Sequence, residues 1–274
     1  MDRTLLKLKS YLNAIILGEL RRKPFSVKRQ RSILLTNKHL KAFYPVYKKS
    51  TEGLLDAIDL LVNEVEEKID ERFNRAALIL LSRSVQHFES VIILTENGLY
   101  GDAISVLRNI LSDMLMMNYL HLHPELIELF LKESTSDYHK SKEFRKAFIE
   151  STMIEELQRY GSVLSKETFS KLSKASHASS WGVQFYSTKS KRGKQQNLKY
   201  GPGFEAKKAL MLLSMILSGP WDFLNIILHH RRSDGLDVES DAWRKIQKVV
   251  DELDNQIRRL SSKGIKILLN WKYL

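Results

Sequence analysis

An all-α fold, an antiparallel multi-helix bundle of long helices with two basic loop regions, is what this sequence predicts. Three observations carry the prediction. The 274 residues hold only 5 prolines and 12 glycines, so helix breakers are sparse. Between them run long intervals whose apolar residues recur at three and four, the spacing of a helix with one buried face. A hydrophobic content of 43% is ample for a buried core.

Taken in order, the periodic intervals predict helices over 4–20, 51–97 with a break near Arg72 to Asn74, 102–122, 124–133, 137–160, 165–177, 204–232 with a bend at Gly219-Pro220, and 238–262. Asn97-Gly98 reads as the end of one helix, and Asp102 after Gly101 as the cap of the next, which makes an antiparallel pair. In the last helix Trp243, Ile246, Val250, Leu253, Ile257 and Leu260 form a heptad seam. Lying against the bundle is the common use of such a stripe, and a homodimer seam over 238–262 is the other. The tail from Gly264, with Ile265, Ile267, Leu268, Leu269 and Trp271, is too apolar to stay in water and should dock. Three parts follow: a basic N-terminal extension (1–50), a central helical bundle (51–235), and a C-terminal helix with an apolar tail packed on it (236–274).

The net charge of +12 is concentrated. Between Glu19 and Glu52 there is no acidic residue but ten basic ones, Arg21, Arg22, Lys23, Lys28, Arg29 and Arg31 among them. Between Glu167 and Glu205 there are seven more, including Lys189, Lys191, Arg192, Lys194 and Lys199. Taking these 17 from the 44 basic residues leaves 27 against 32 acids, so the rest of the chain is net negative. Both stretches read as loops, from Pro24 and Pro45 in the first and from a Ser- and Gly-rich composition in the second. Phe25, Phe43, Tyr44 and Tyr47 interleave the first, and Trp181, Phe185, Tyr186, Tyr200 and Phe204 the second. Positive charge for phosphates and flat faces for unpaired bases suit a nucleic acid, RNA ahead of DNA; aromatics that merely anchor the stretches to the core are the plainer alternative.

Absent residues exclude chemistry. Without cysteine there is no disulfide, no thiol nucleophile and no thiolate metal site. No run nears the roughly 18 apolar residues of a membrane span, and Ala14 to Leu17 is too short for a signal-peptide core, so a cytoplasmic protein with no membrane partner is expected. His121-x-His123 and His229-His230 point to different helix faces, no Glu-x-x-His pair is present, and neither metal nor cofactor is expected. There is no phosphate-binding glycine loop and no Gly-x-Ser-x-Gly.

Charges embedded in apolar helices remain. Arg83 and His87 stand one turn apart among Leu80, Val91 and Leu94, and Arg108 lies beside Ile104, Leu111 and Leu115. In an antiparallel pair, Glu89 or Asp113 can partner Arg83 or Arg108, most simply as an ion pair that sets helix register. His177 closes a helix beside Ser176, Ser179 and Ser180, at the mouth of the second basic stretch. There a near-neutral titrating group could move a proton for RNA cleavage, or simply sit well at a helix C-terminus.

The run Arg83 to Glu89, then Asn97-Gly-Leu-Tyr-Gly-Asp-Ala-Ile-Ser-Val-Leu-Arg108-Asn-Ile-Leu-Ser-Asp113, Tyr119-Leu120, and downstream Leu172-Ser173 and His177, resembles an uncharacterised family of bacterial helical proteins over about residues 75–230. That family is in turn similar to HEPN-type proteins, many of them dimeric ribonuclease toxins or phage-defence effectors. The resemblance implies a polar site drawn from His177, Lys171, Arg108 and Arg83. The HEPN hallmark, an arginine and a histidine with four to six residues between them, is not met: five residues lie between Lys171 and His177, where the first is a lysine, and only three between Arg83 and His87. The expected function is a nucleic-acid-associated helical protein, with a non-catalytic helical scaffold that self-associates or binds a protein as the alternative.

Overall fold

The computed structural model describes residues 25–134, 141–159, 166–176 and 203–268. Its helices are α1 (Phe25–Leu40), α2 (Tyr44–Glu66), α3 (Glu71–Glu96), α4 (Tyr100–Leu122), a 3-10 turn (Pro124–Leu126), α5 (Ile127–Ser134), α6 (Lys142–Ala147), α7 (Glu150–Arg159), α8 (Lys166–Ser176), α9 (Ala206–Ser233) and α10 (Asp241–Leu268). No strand occurs among the described residues, and the fold is all-α. The expected helix over 4–20 and the docking of the apolar tail lie outside the described residues.

The α3–α4 hairpin is the spine. Gly98 turns the chain with φ +72°, and its neighbour Leu99 donates its N–H back to Leu94 O at 2.8 Å. A Cβ at Gly98 would stand 2.7 Å from the backbone of Gly203 and 2.8 Å from Ser32 Oγ, so the turn also needs the small residue for close approach. α4 opens at Tyr100, a little before the expected cap; Asp102 sits in its first turn, where a carboxylate favours the helix dipole. α4 then buries most of its faces, against α3, α8 and α9.

Several expected boundaries move, each for a local reason. From Phe25 onward the first basic stretch is helical, with a turn at 41–43, rather than a loop. Pro24 precedes the first residue of α1, and Pro45 occupies the first turn of α2, where a missing N–H costs no intrahelical bond. α2 therefore runs through residue 50, with Val46 and Ser50 buried. The break before α3 falls at 67–70 rather than 72–74, and it is made without glycine. Lys68 (φ 60°) and Asp70 (φ 41°) take the left-handed conformation, and buried Asn74 secures it by donating to Ile69 O at 2.9 Å and to Glu64 Oε2 at 3.1 Å. The interval 137–160 divides at Phe148 and Ile149 into α6 and α7, Ser141 capping α6 by accepting from Phe144 N–H at 3.1 Å.

α9 passes through Pro220 unbroken. At Gly219 a Cβ would lie 2.4 Å from Phe88 Cε1, so glycine there lets α9 press against α3. The heptad seam of α10 is filled from within the chain: Trp243, Ile246, Val250 and Leu253 are buried and Ile257 packs at the core edge, against α2 and α9. A partner helix therefore finds that part of the 238–262 seam already occupied. Glu64 fastens three helices to α2, accepting from Asn74, from Arg231 Nη1 at 2.5 Å and from Trp243 Nε1 at 3.0 Å, while the Arg231 guanidinium lies 4.1 Å over the Trp243 ring. By length and composition, α3 and residues 207–233 of α9 could cross a membrane; here both pack in the bundle core.

Candidate functional site

One polar cluster bridges α3 and α4 at mid-height. Antiparallel packing brings Arg83, Ser84 and His87 to Asp113, whose side chain is fully buried. The Arg83 fork donates through Nε to Asp113 Oδ2 at 3.0 Å and through Nη2 to Oδ1, and Ser84 Oγ adds a bond to Oδ2 at 3.1 Å. His87 Nδ1 is 3.9 Å from the same oxygen and buried without a hydrogen-bond partner. Burial, and then the nearby Arg83, hold His87 below its ordinary pKa, so its imidazole is uncharged at neutral pH. Arg83 keeps 58% of its side chain exposed. The result is a guanidinium oriented from beneath by a buried carboxylate and still open to an anion, with a neutral imidazole one helical turn away.

Arg108 and Lys171, the other described candidates, are each bound elsewhere. Arg108 grips Glu150, the first residue of α7, with Nη2 at 3.0 and 2.9 Å from its two oxygens, and Ser112 Oγ joins at 3.3 Å. Arg108 thus anchors α7 to α4 on a face about 140° from the Asp113 pair. Lys171 pairs with Glu167 of its own helix at 2.6 Å. Glu89, an alternative partner for an arginine, instead accepts from Tyr47 Oη at 2.8 Å. His177 lies outside the described residues, as do Lys189, Lys191, Arg192, Lys194 and Lys199 of the second basic stretch and Arg21, Arg22 and Lys23 of the first.

Lys28, Arg29 and Arg31 lie on α1, whose sequence contains no acidic residue. Arg29 Nε donates to Asn97 Oδ1 and ties α1 to the hairpin turn, while Arg31 is exposed. Three aromatics of this stretch serve the plainer role. Phe43, Tyr44 and Tyr47 pack on the core, and Tyr44 Oη donates to Glu96 at 2.5 Å. They are not free platforms for bases.

A second cluster is one that spacing within single helices misses. α4 and α9 run parallel, shown by Tyr100 Oη accepting from Glu205 N–H at one end and by histidine contacts at the other. Their C-terminal ends unite His121 with both His229 and His230: His121 Nδ1 is 3.0 Å from His230 Nδ1, and His121 Nε2 is 3.0 Å from His229 Nδ1. His230 Nε2 lies 2.6 Å from Asp70 Oδ2 and 3.9 Å from Asp234 Oδ2, and its ring stacks on Phe73 at 3.5 Å. Burial, reinforced by the neighbouring histidines, pushes His121 down to about 4. His123 does diverge, to Glu125 and Glu156 at 3.0 and 2.9 Å. Spacing within each helix separates His121 from His123, whereas packing between helices brings His121 to His229 and His230. The available signal is a histidine near the end of each of two long helices.

Residues 74–204 match a family of unknown function (DUF5677). No curated protein and no solved structure matches the chain. The matched stretch, just under half of the chain, runs from the first turn of α3 past α8 and holds Arg83, Asp113, Arg108 and Glu150; α1, α2, α10 and His230 fall outside it.

Proposed function

We propose that the chain is a nucleic-acid-associated protein with RNA as the favoured ligand. The observation that carries this reading is Arg83: a guanidinium whose orientation is fixed by a buried carboxylate while more than half of it faces solvent, as recognition of a phosphate requires. Support comes from α1, which presents basic side chains and no acidic one on a chain that is net negative outside its two basic stretches. The test is affinity for a single-stranded RNA measured against salt. Replacing Lys28 and Arg31 by alanine, or Arg83 by glutamine, should lower the slope of log K on log salt by about 0.7 for each phosphate that the variant no longer neutralises. A flat salt response refutes the reading.

A HEPN-like, metal-independent ribonuclease of a toxin or defence system is the catalytic form of the same proposal, and it is tested separately. Of the candidates His177, Lys171, Arg108 and Arg83, the last is the most open to solvent among those described. His87 adds a neutral imidazole beside it that can accept the proton of a ribose hydroxyl. A wild-type chain that binds RNA without cleaving it removes the catalytic form and leaves binding intact, while cleavage that survives both His177→Ala and His87→Ala takes both histidines out of the chemistry.

One observation favours a second reading, self-association as a scaffold. Leu55, Ile58, Val62, Val65 and Ile69 follow one another along and just beyond α2 at three- and four-residue steps, and Leu55, Val62 and Ile69 are exposed. Val62→Lys on this surface should abolish concentration-dependent mass in sedimentation, and a wild-type chain that is monomeric at every concentration removes the reading.

A further inference from the structure

We infer that the joined C-terminal ends of α4 and α9 form a binding site for a zinc-class divalent metal ion, with His121, His230 and Asp234 as its ligands. One nitrogen from each histidine and one oxygen of Asp234 lie within 4.8 Å of one another. Ligand atoms around a tetrahedral ion with bonds of about 2.0–2.1 Å stand roughly 3.3 Å apart, so the two histidines at 3.0 Å need only small adjustments. Asp234 supplies the adjustable arm. It follows the end of α9, is half exposed, and precedes Gly235, whose φ is +68°.

The surroundings are those of an ordered ligand set. Asp70 accepts from His230 Nε2 at 2.6 Å, which places that ring's proton on Nε2 and leaves Nδ1 as a lone pair directed at His121. Phe73 holds the ring in plane by stacking on it at 3.5 Å. His230 is buried and His229 exposed, so the cluster reaches from the core to the surface. Two helix C-termini meet here, and their dipoles add negative potential where the ion would sit.

Without the ion, the protons form a consistent chain: His229 Nδ1–H donates to His121 Nε2, His121 Nδ1–H to His230 Nδ1, and His230 Nε2–H to Asp70. Binding frees His121 Nδ1 by moving its proton to Nε2, where His229 Nδ1 accepts once the His229 proton has moved to its own Nε2. No net proton leaves the imidazoles. Nitrogen and carboxylate donors without thiolate suit Zn2+ or Co2+, and three protein ligands leave a position for water or an outside ligand.

The test is titration of the full, chelator-treated chain with Zn2+, and with Co2+ as a spectroscopic probe. One ion per chain and intense visible bands of four-coordinate Co2+ are expected. Asp234→Asn, an exposed change outside the core, should weaken Zn2+ binding by about tenfold or more, as should His121→Gln, whereas His123→Ala should leave it unchanged. Absence of saturable binding overturns the inference, as does Zn2+ affinity that Asp234→Asn does not alter in a variant with wild-type circular dichroism.

Discussion

The Arg83–Asp113 pair has one partner in water and one out of it, and this asymmetry predicts the order of three variants. Asp113 is 0% exposed and Arg83 58% exposed. Arg83→Met leaves a carboxylate sealed between α3 and α4 with one neutral donor, Ser84 Oγ at 3.1 Å. Orphaning a buried charge of this kind costs about 3–5 kcal/mol. Asp113→Asn removes the charge from the interior, and the freed guanidinium can turn to solvent. The charge-assisted part of the two Arg83 bonds then disappears, at a cost of about 1–2 kcal/mol net. The double variant should fall near the Asp113→Asn value, because the orphaned charge is then absent. Urea denaturation of the four proteins at pH 7 gives the cycle, with a coupling of about 2 kcal/mol or more expected. Equal costs for the two single variants, or additive costs in the double, would refute the argument that burial of Asp113 governs the pair.

Three further outcomes follow from the packing. Gly219→Ala forces its Cβ onto the Phe88 ring and should destabilise by about 1–3 kcal/mol, a loss that Phe88→Leu in the same chain partly restores; a neutral Gly219→Ala in thermal melts contradicts the close approach. Glu64→Ala leaves the Arg231 guanidinium buried against Trp243 without its carboxylate and should cost about 3–5 kcal/mol by urea denaturation, well beyond an exposed control such as Glu66→Ala. Burial pushes Asp222 up to about 7 from the usual 3.8. Between those values the unfolded chain loses a proton that the folded chain keeps, so stability falls as pH rises from about 4 and levels off above 7. A displacement of that size is worth at most about 4 kcal/mol, and partial exposure of the side chain reduces it to about 1–2. Asp222→Asn should therefore match wild type near pH 4 and exceed it at pH 8, and an equal difference at both pH values rules the mechanism out.

What is legible in the sequence is whatever depends on neighbours along the chain. The 3.6 period and the Asn97-Gly98 signal are enough to anticipate an antiparallel α3–α4 pair, and with it Asp113 as a candidate partner for Arg83. The α2–α3 break escapes its expected place because no glycine marks it; Asn74 and Glu64 stabilise a conformation that Lys68 and Asp70 alone would disfavour. α1 and the start of α2 look like loops because a proline that opens a helix and a proline that ends one are alike without the helix beside them. The histidine cluster is illegible for a different reason. Its members lie 108 and 109 residues apart, and only the parallel packing of α4 on α9 makes them neighbours. The same kind of separation hides the partner of Arg108, since nothing local to Arg108 indicates Glu150.

The meeting of Gly98 with Gly203 also has a kinetic meaning. The hairpin can assemble from residues a few positions apart, but the Tyr100–Glu205 bond beside that contact closes a loop 105 residues long. Closure entropy rises only with the logarithm of loop length, yet it must be overcome before α9 gains any apolar cover from α4. Docking of α9 is thus expected to come late in folding, and a side chain placed at Gly98 should slow refolding by obstructing the point where that loop shuts.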